Sequence, residues 1–204
     1  MAKLEILTYP NPLLREVSKP VTEFTPEVVQ KLTKLAEDMF DTMYDANGIG
    51  LAAPQVGELV RMLVIDCRPK SESERYEISD MSDLEQKVNQ PLVLINPEIV
   101  KGEGKTTFDE GCLSVPSFFE TVERFEKVEV KACDVNGKEI RFTTDGLLAI
   151  VIQHEMDHLE GTLFIDHISF TKSNKIKNTI KKSGYPTKEE ISEARERKKE
   201  PVKS

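Results

Sequence analysis

The most constraining stretch of this chain is an unbroken apolar run, Leu147-Leu148-Ala149-Ile150-Val151-Ile152, that passes directly into Gln153-His154-Glu155-Met156-Asp157-His158. Its length fits a core helix ending near Gly161, and such a helix carries its polar residues along with the apolar ones. Four residues apart, His154 and His158 project from one helix face toward a common point and can share one metal ion. Glu155 cannot bind beside both histidines, but it is placed to move the proton of a water. Two surface histidines would give the same HExxH pentapeptide, so a third ligand has to be sought elsewhere.

In the HExxHxxGxxH arrangement of zinc proteases, with Gly161 at the matching glycine, the third histidine falls at position 164, which is Phe164. His167 misses that register. The remaining soft donor is Cys112, in Glu110-Gly111-Cys112-Leu113-Ser114-Val115-Pro116, where Gly111 lets backbone approach closely. By chemistry alone Cys112 is either a buried structural thiol or a ligand.

Gly48-Ile49-Gly50-Leu51-Ala52-Ala53 formally matches the dinucleotide pattern GxGxxA, which needs a strand before it and a helix after it. Here a predicted helix precedes, and Pro54 and Gly57 break any helix on the C-terminal side. The segment is then a loop presenting Gln55, either an ordinary surface amide or a donor to a developing oxyanion.

Around these motifs, Ile6 to Pro12 is proline-punctuated and predicts an extended arm wrapping the domain. Thr25 and Pro26 predict a helix start, and Val28, Leu32, Leu35, Met39 and Met43 continue it over about 26–45. Strands are predicted at 59–66, at 92–95 before Asn96-Pro97, and in a hairpin 128–133/139–143 turning at Asp134 to Gly137. Residues 68–90, rich in Ser, Glu, Asp and Lys, predict a solvated surface loop. Pro186-Thr187-Lys188-Glu189-Glu190 suggests a capping box for a short charged helix over roughly 187–199.

A hydrophobic content of 38% in 204 residues suffices for one core. No stretch approaches the roughly 18 apolar residues of a membrane span, and the start lacks the apolar run of a secretory signal, so a cytoplasmic protein is expected, with neither membrane nor DNA as partner. Three scattered cysteines suit a reducing compartment. The net charge is -8, yet residues 172–204 hold eleven Lys/Arg against five Glu, a balance of +6, which leaves -14 on the body.

The segments Gly48 to Gln55, Glu110 to Ser114 and Gln153 to His158 resemble, in order, the three signature motifs of peptide deformylases, with further likeness at Leu14-Arg15 and Asp145 to Ala149. The resemblance implies an α+β fold in which antiparallel sheets surround a central HExxH-bearing helix, with an N-terminal helix and a basic C-terminal tail. It implies a catalytic domain over 1–170 and a basic extension over 171–204, partly helical or disordered. It also implies metal-dependent hydrolysis of the N-formyl group from formyl-methionine of nascent proteins. By analogy Cys112, His154 and His158 hold the metal, Fe²⁺ replaceable by Zn²⁺, Ni²⁺ or Co²⁺. Glu155 is the general acid/base, and Gln55 with the Leu113 backbone N–H stabilises the oxyanion. Ile49, Gly50, Gly111, Leu147, Ile150 and Val151 are the matching substrate-binding positions, and the tail resembles extensions that contact the ribosome. The chain departs from many relatives in Ser117-Phe118-Phe119 after the second motif and in the length of 68–90. A conventional metallopeptidase and a catalytically silent ribosome-docking protein are the other readings. Phe164 counts against the first, and Glu155 with Gln55 against the second.

Overall fold

The computed structural model describes residues 3–68 and 81–187. Helix α1 (Pro26–Asp45) begins where Thr25 accepts a hydrogen bond from the Val28 N–H, with Pro26 in the first turn. Strands β1 (Gly50–Ala52), β2 (Met62–Ile65), β3 (Leu92–Glu103), β6 (Lys127–Cys133) and β7 (Glu139–Asp145) form one antiparallel sheet in the order β1-β2-β3-β6-β7. Strands β4 (Thr106–Cys112) and β5 (Val115–Arg124) form a separate two-stranded sheet. Helix α3 (Gly146–Leu159) carries the two histidines, and helix α4 (Phe170–Ser183) follows it.

The larger sheet lies between two helices, which explains why β2 is buried at every position. Side chains alternate across a strand, so Leu63 and Ile65 pack with Leu148, Ala149 and Ile152 of α3, while Met62 and Val64 pack with Leu32, Ala36, Met39 and Met43 of α1. A third cluster joins Val115 and Val122 of β5 to Leu163, Phe164 and Ile165 and to Ile176 and Ile180 of α4. Helix α4 therefore packs on the body through one apolar stripe, with Lys172, Lys175, Lys181 and Lys182 outward.

Three expectations need correction. Strand β3 does not stop before Asn96-Pro97 but continues to Glu103 across a register shift between Ile95 and Glu98. Pro97 has no N–H to give the ladder, and the irregularity accommodates it. The Asn96 side chain accepts from the Val21 N–H at 2.9 Å and donates to the Val21 carbonyl at 2.8 Å, tying the N-terminal segment to the sheet. Strand β2 is shorter than the predicted 59–66, because Val60 instead makes a parallel bridge to Lys19.

The third concerns the end of the polar 68–90 stretch, which is not a solvated loop. Residues 83–86 form a helical turn, α2 (Asp83–Gln86), with a Ser82/Glu85 capping box, and Met81 and Glu85 are buried. The N-terminal arm does wrap: the Leu7 N–H donates to the Gln55 carbonyl at 2.7 Å and the Tyr9 N–H to the Ser114 carbonyl at 2.8 Å. The 187–199 helix expectation lies essentially outside the described residues, as do 69–80. No described helix is long and apolar enough to cross a membrane.

Candidate active site

Because α3 is apolar on nearly all sides, its last two turns take His154, Glu155 and His158 out of water; all three are buried. Cys112 reaches them from the end of β4, just before the hairpin turn into β5. The Cys112 Sγ lies 3.2 Å from His158 Nε2, and one ligand atom from each of Cys112, His154 and His158 falls within 4.8 Å of the others. The imidazole rings stand 5.2 Å apart, steeply inclined at 73°.

The outer contacts of the histidines differ. His154 Nδ1 is 2.8 Å from Glu110 Oε2, which leaves Nε2 for the cluster. Arg124 grips both oxygens of Glu110, at 2.7 and 2.9 Å, and also donates to Asp157 at 2.7 Å, where His167 makes a second contact of 2.7 Å. Burial opposes ionisation of Glu110, but Arg124 and His154 outweigh it and hold the carboxyl at about 2. Burial likewise disfavours charge on His154, yet Cys112 and Glu110 raise its pKa well above the ordinary value. His158 has no such acid, and burial followed by repulsion from His154 and Arg124 lowers it far below. Burial, above all, raises the Glu155 carboxyl to about 7.

A divalent ion fits these residues. One sulfur and two imidazole nitrogens form a mixed donor set suited to zinc, iron or their neighbours, and three protein ligands leave a coordination position for substrate or water. Two buried atoms at the site, Glu155 Oε2 and His158 Nδ1, have no hydrogen-bond partner among the described residues. Phe164, at the protease's third-ligand position, stacks near-parallel on His154 with centroids 6.4 Å apart and is fully buried.

Gln55 is buried and oriented: its Oε1 accepts from the Ala52 N–H at 2.8 Å, and its Nε2 donates to Ser114 Oγ at 3.1 Å and faces Cys112 Sγ at 3.6 Å. Its amide hydrogens are thereby aimed at the sulfur's neighbourhood. A cleft of about 470 Å³ opens beside the cluster, lined by Gln55, Cys112, His154 and Glu155 at one end. Its walls include Ile49, Gly50, Gly111, Leu113, Leu147, Ile150 and Val151, so every residue inferred for the substrate borders it. Gly50 is needed for closeness: a Cβ there would lie 2.5 Å from Glu155 Oε1. The Phe119 ring covers Gly111, whose Cβ would come within 2.5 Å of it.

Sequence reasoning gave no role to Glu110, Arg124 or Asp157. Glu110 stands two residues before Cys112 in the same motif, and what turns its carboxyl to His154 is strand β4, which the sequence did not reveal. Arg124 had no local signal, being brought there only by the β4–β5 pairing.

A sulfur, two imidazoles and a buried carboxyl at the end of an apolar cleft define a metallohydrolase. The family model of polypeptide deformylase matches residues 3–174. The peptide deformylase of Cellvibrio japonicus is 48% identical over 183 residues, 89% of this chain and 96% of that protein. That of Alkalilimnicola ehrlichii is 44% identical over 182 residues, covering 89% and 91%. A crystal structure of a peptide deformylase from Legionella pneumophila aligns over 98% of this chain and 100% of its own, with TM-score 0.72 and 40% identity. The Ehrlichia chaffeensis peptide deformylase in complex with actinonin gives 0.74 and 37%, over 91% and 100%. The chain belongs to the peptide deformylase family, whose members remove the N-formyl group from nascent peptides.

Because the Glu110 pKa is lowered on folding, its contribution to stability is present above the unfolded value near 4.5 and is lost as pH falls toward about 2. Urea unfolding of wild type should therefore weaken more steeply across that window than unfolding of Glu110→Gln, in which this group no longer titrates. Parallel pH slopes would contradict the assignment.

Proposed function

We propose that this chain hydrolyses the N-formyl group of formyl-methionine on nascent polypeptides, releasing formate, with Cys112, His154 and His158 holding one divalent ion. The observation that carries the reading is the convergence of those three donors next to the Glu155 carboxyl, whose Oε2 has no partner among the described residues. A cation held there supplies Lewis acidity that brings the pKa of a water toward about 7.

Glu155 accepts a proton from the attacking water and delivers it to the leaving amine nitrogen. A carboxyl raised to about 7 suits both halves of that transfer near neutral pH. The formyl oxygen gains negative charge as it is attacked, and Gln55 Nε2 and the Leu113 backbone N–H donate to it. Gln55 needs little reorganisation, because Ala52 fixes its Oε1 and only its N–H turns from Ser114 to substrate. Ile49, Gly50, Leu147, Ile150 and Val151 wall a space for the methionine side chain, and Gly111 flanks the peptide backbone.

The remaining parts of the reading rest on family membership. The ion is ferrous iron, exchangeable for zinc, nickel or cobalt, and the protein works in the cytoplasm, where nascent chains emerge. Residues 1–170 are the catalytic domain. The basic extension over 171–204 binds the ribosome, for which the outward lysines of α4 supply a salt-sensitive attraction to RNA.

Anaerobically purified protein given formyl-Met-Ala-Ser and unformylated casein should release formate and leave casein uncut, with the iron form outpacing the zinc form. Glu155→Ala should abolish turnover with metal still bound, and Gln55→Ala should lower kcat on the order of 10². Cleaved casein would instead favour a peptidase. Reversing the exposed lysines, as in K175E/K181E/K182E, should reduce cosedimentation with ribosomes at low salt; unchanged cosedimentation would remove the ribosome from the account.

A further inference from the structure

Helix α3 does not cap itself. Its N-cap residue Asp145 makes no side-chain hydrogen bond to the first turn, although the opening N–H groups of a helix need partners when buried. The partner comes from the far end of the polar insertion. Glu85 is 1% exposed, and its Oε1 accepts from the Leu148 N–H at 2.9 Å while its Oε2 accepts from the Ser82 N–H at 2.9 Å. Ser82 also bonds to the Asp145 carboxyl, so α2 and the start of α3 are tied at two points. Gly146, with φ +60°, makes room: a Cβ there would collide with the Glu85 carboxyl. A buried carboxyl group reaching from a separate element thus supplies the acceptor that the first turn of α3 lacks.

The turn that Glu85 holds contains Leu147, and Ile150 and Val151 lie one turn on; these three are the α3 residues walling the cleft ahead of His154 and Glu155. We propose that Glu85 is a positioning residue for substrate recognition: by fixing the first turn of α3 it sets the apolar wall that receives the substrate's first side chain. This rests on the deformylase reading of the cleft. Helices fray from uncapped ends, so loosening at Leu148 reaches Leu147 and Ile150 before His154 and His158, which remain held by Glu110, Phe164 and the core. The expected signature is a loss in substrate binding with the chemical step and the metal intact.

The test is steady-state kinetics of metal-loaded wild type and variants with formyl-Met-Ala-Ser, together with hydrogen exchange at the Leu148 amide. Glu85→Ala should raise KM about tenfold, the factor expected when one buried N–H loses its acceptor. Its kcat per bound metal should stay within about twofold. Glu85→Gln, which keeps an acceptor for Leu148, should restore most of the wild-type KM, and Leu148 exchange should accelerate in the alanine variant only. Should Glu85→Ala fail to fold, Glu85→Asp takes its place, since one methylene fewer withdraws the acceptor and should raise KM likewise. An unchanged KM, or a fall in kcat that tracks metal content, overturns the proposal. Wild type that releases no formate refutes the deformylase reading instead, while unaltered Leu148 exchange in Glu85→Ala refutes the anchoring itself.

Discussion

Three polar side chains, His154, Glu155 and His158, are buried on one helix whose other residues are almost all apolar, and the rest of the molecule answers that constraint. Buried polar groups without partners are costly, and buried charges more so. The His154 side of the problem is met by a chain of contacts through Glu110, Arg124 and Asp157, which fixes the ring so that Nε2 faces Cys112. The inner side is met by converging those nitrogens on a sulfur, a donor set that fits a divalent cation. Among the described residues, Glu155 Oε2 and His158 Nδ1 are the atoms of this group left without a protein partner.

The fold follows from housing this helix. The sheet between α1 and α3 must be apolar on both faces, as β2 is. The small β4–β5 sheet brings Cys112 and Glu110 to the helix from one side, while β1 and the turn after it bring Gly50 and Gln55 from the other. The N-terminal arm closes the assembly by bonding to the Gln55 and Ser114 carbonyls, both next to the cluster. Positions far apart in the chain therefore act as one rigid frame, which suits a reaction that depends on aligned donors.

Much of this was legible in the sequence, for physical reasons. The 3.6-residue period and the Thr25-Pro26 start defined α1 at the observed bounds, because capping chemistry is local. The β6–β7 hairpin was equally plain from alternation and from Asp134 to Gly137. Elements set by tertiary contacts were not. The β4–β5 pair was not identified, since polar residues stand on both of its faces, Thr106, Glu110, Glu120 and Arg124 on one and Asp109 and Glu123 on the other, and mask the alternation. The continuation of β3 past Pro97 depends on Asn96 gripping Val21, a contact 75 residues away. Polar composition around α2 suggested solvent, whereas Glu85 is polar because it caps another helix. Arg124 is invisible to any local pattern for the same reason.

The central claim is that one thiolate and two imidazoles bind a single ion. X-ray absorption on protein reconstituted with one equivalent of zinc tests it directly. The first shell should contain one sulfur at about 2.3 Å and two nitrogens at about 2.0–2.1 Å, with a light atom completing four ligands. A shell of nitrogen and oxygen alone, unchanged when Cys112 is replaced by serine, would contradict it.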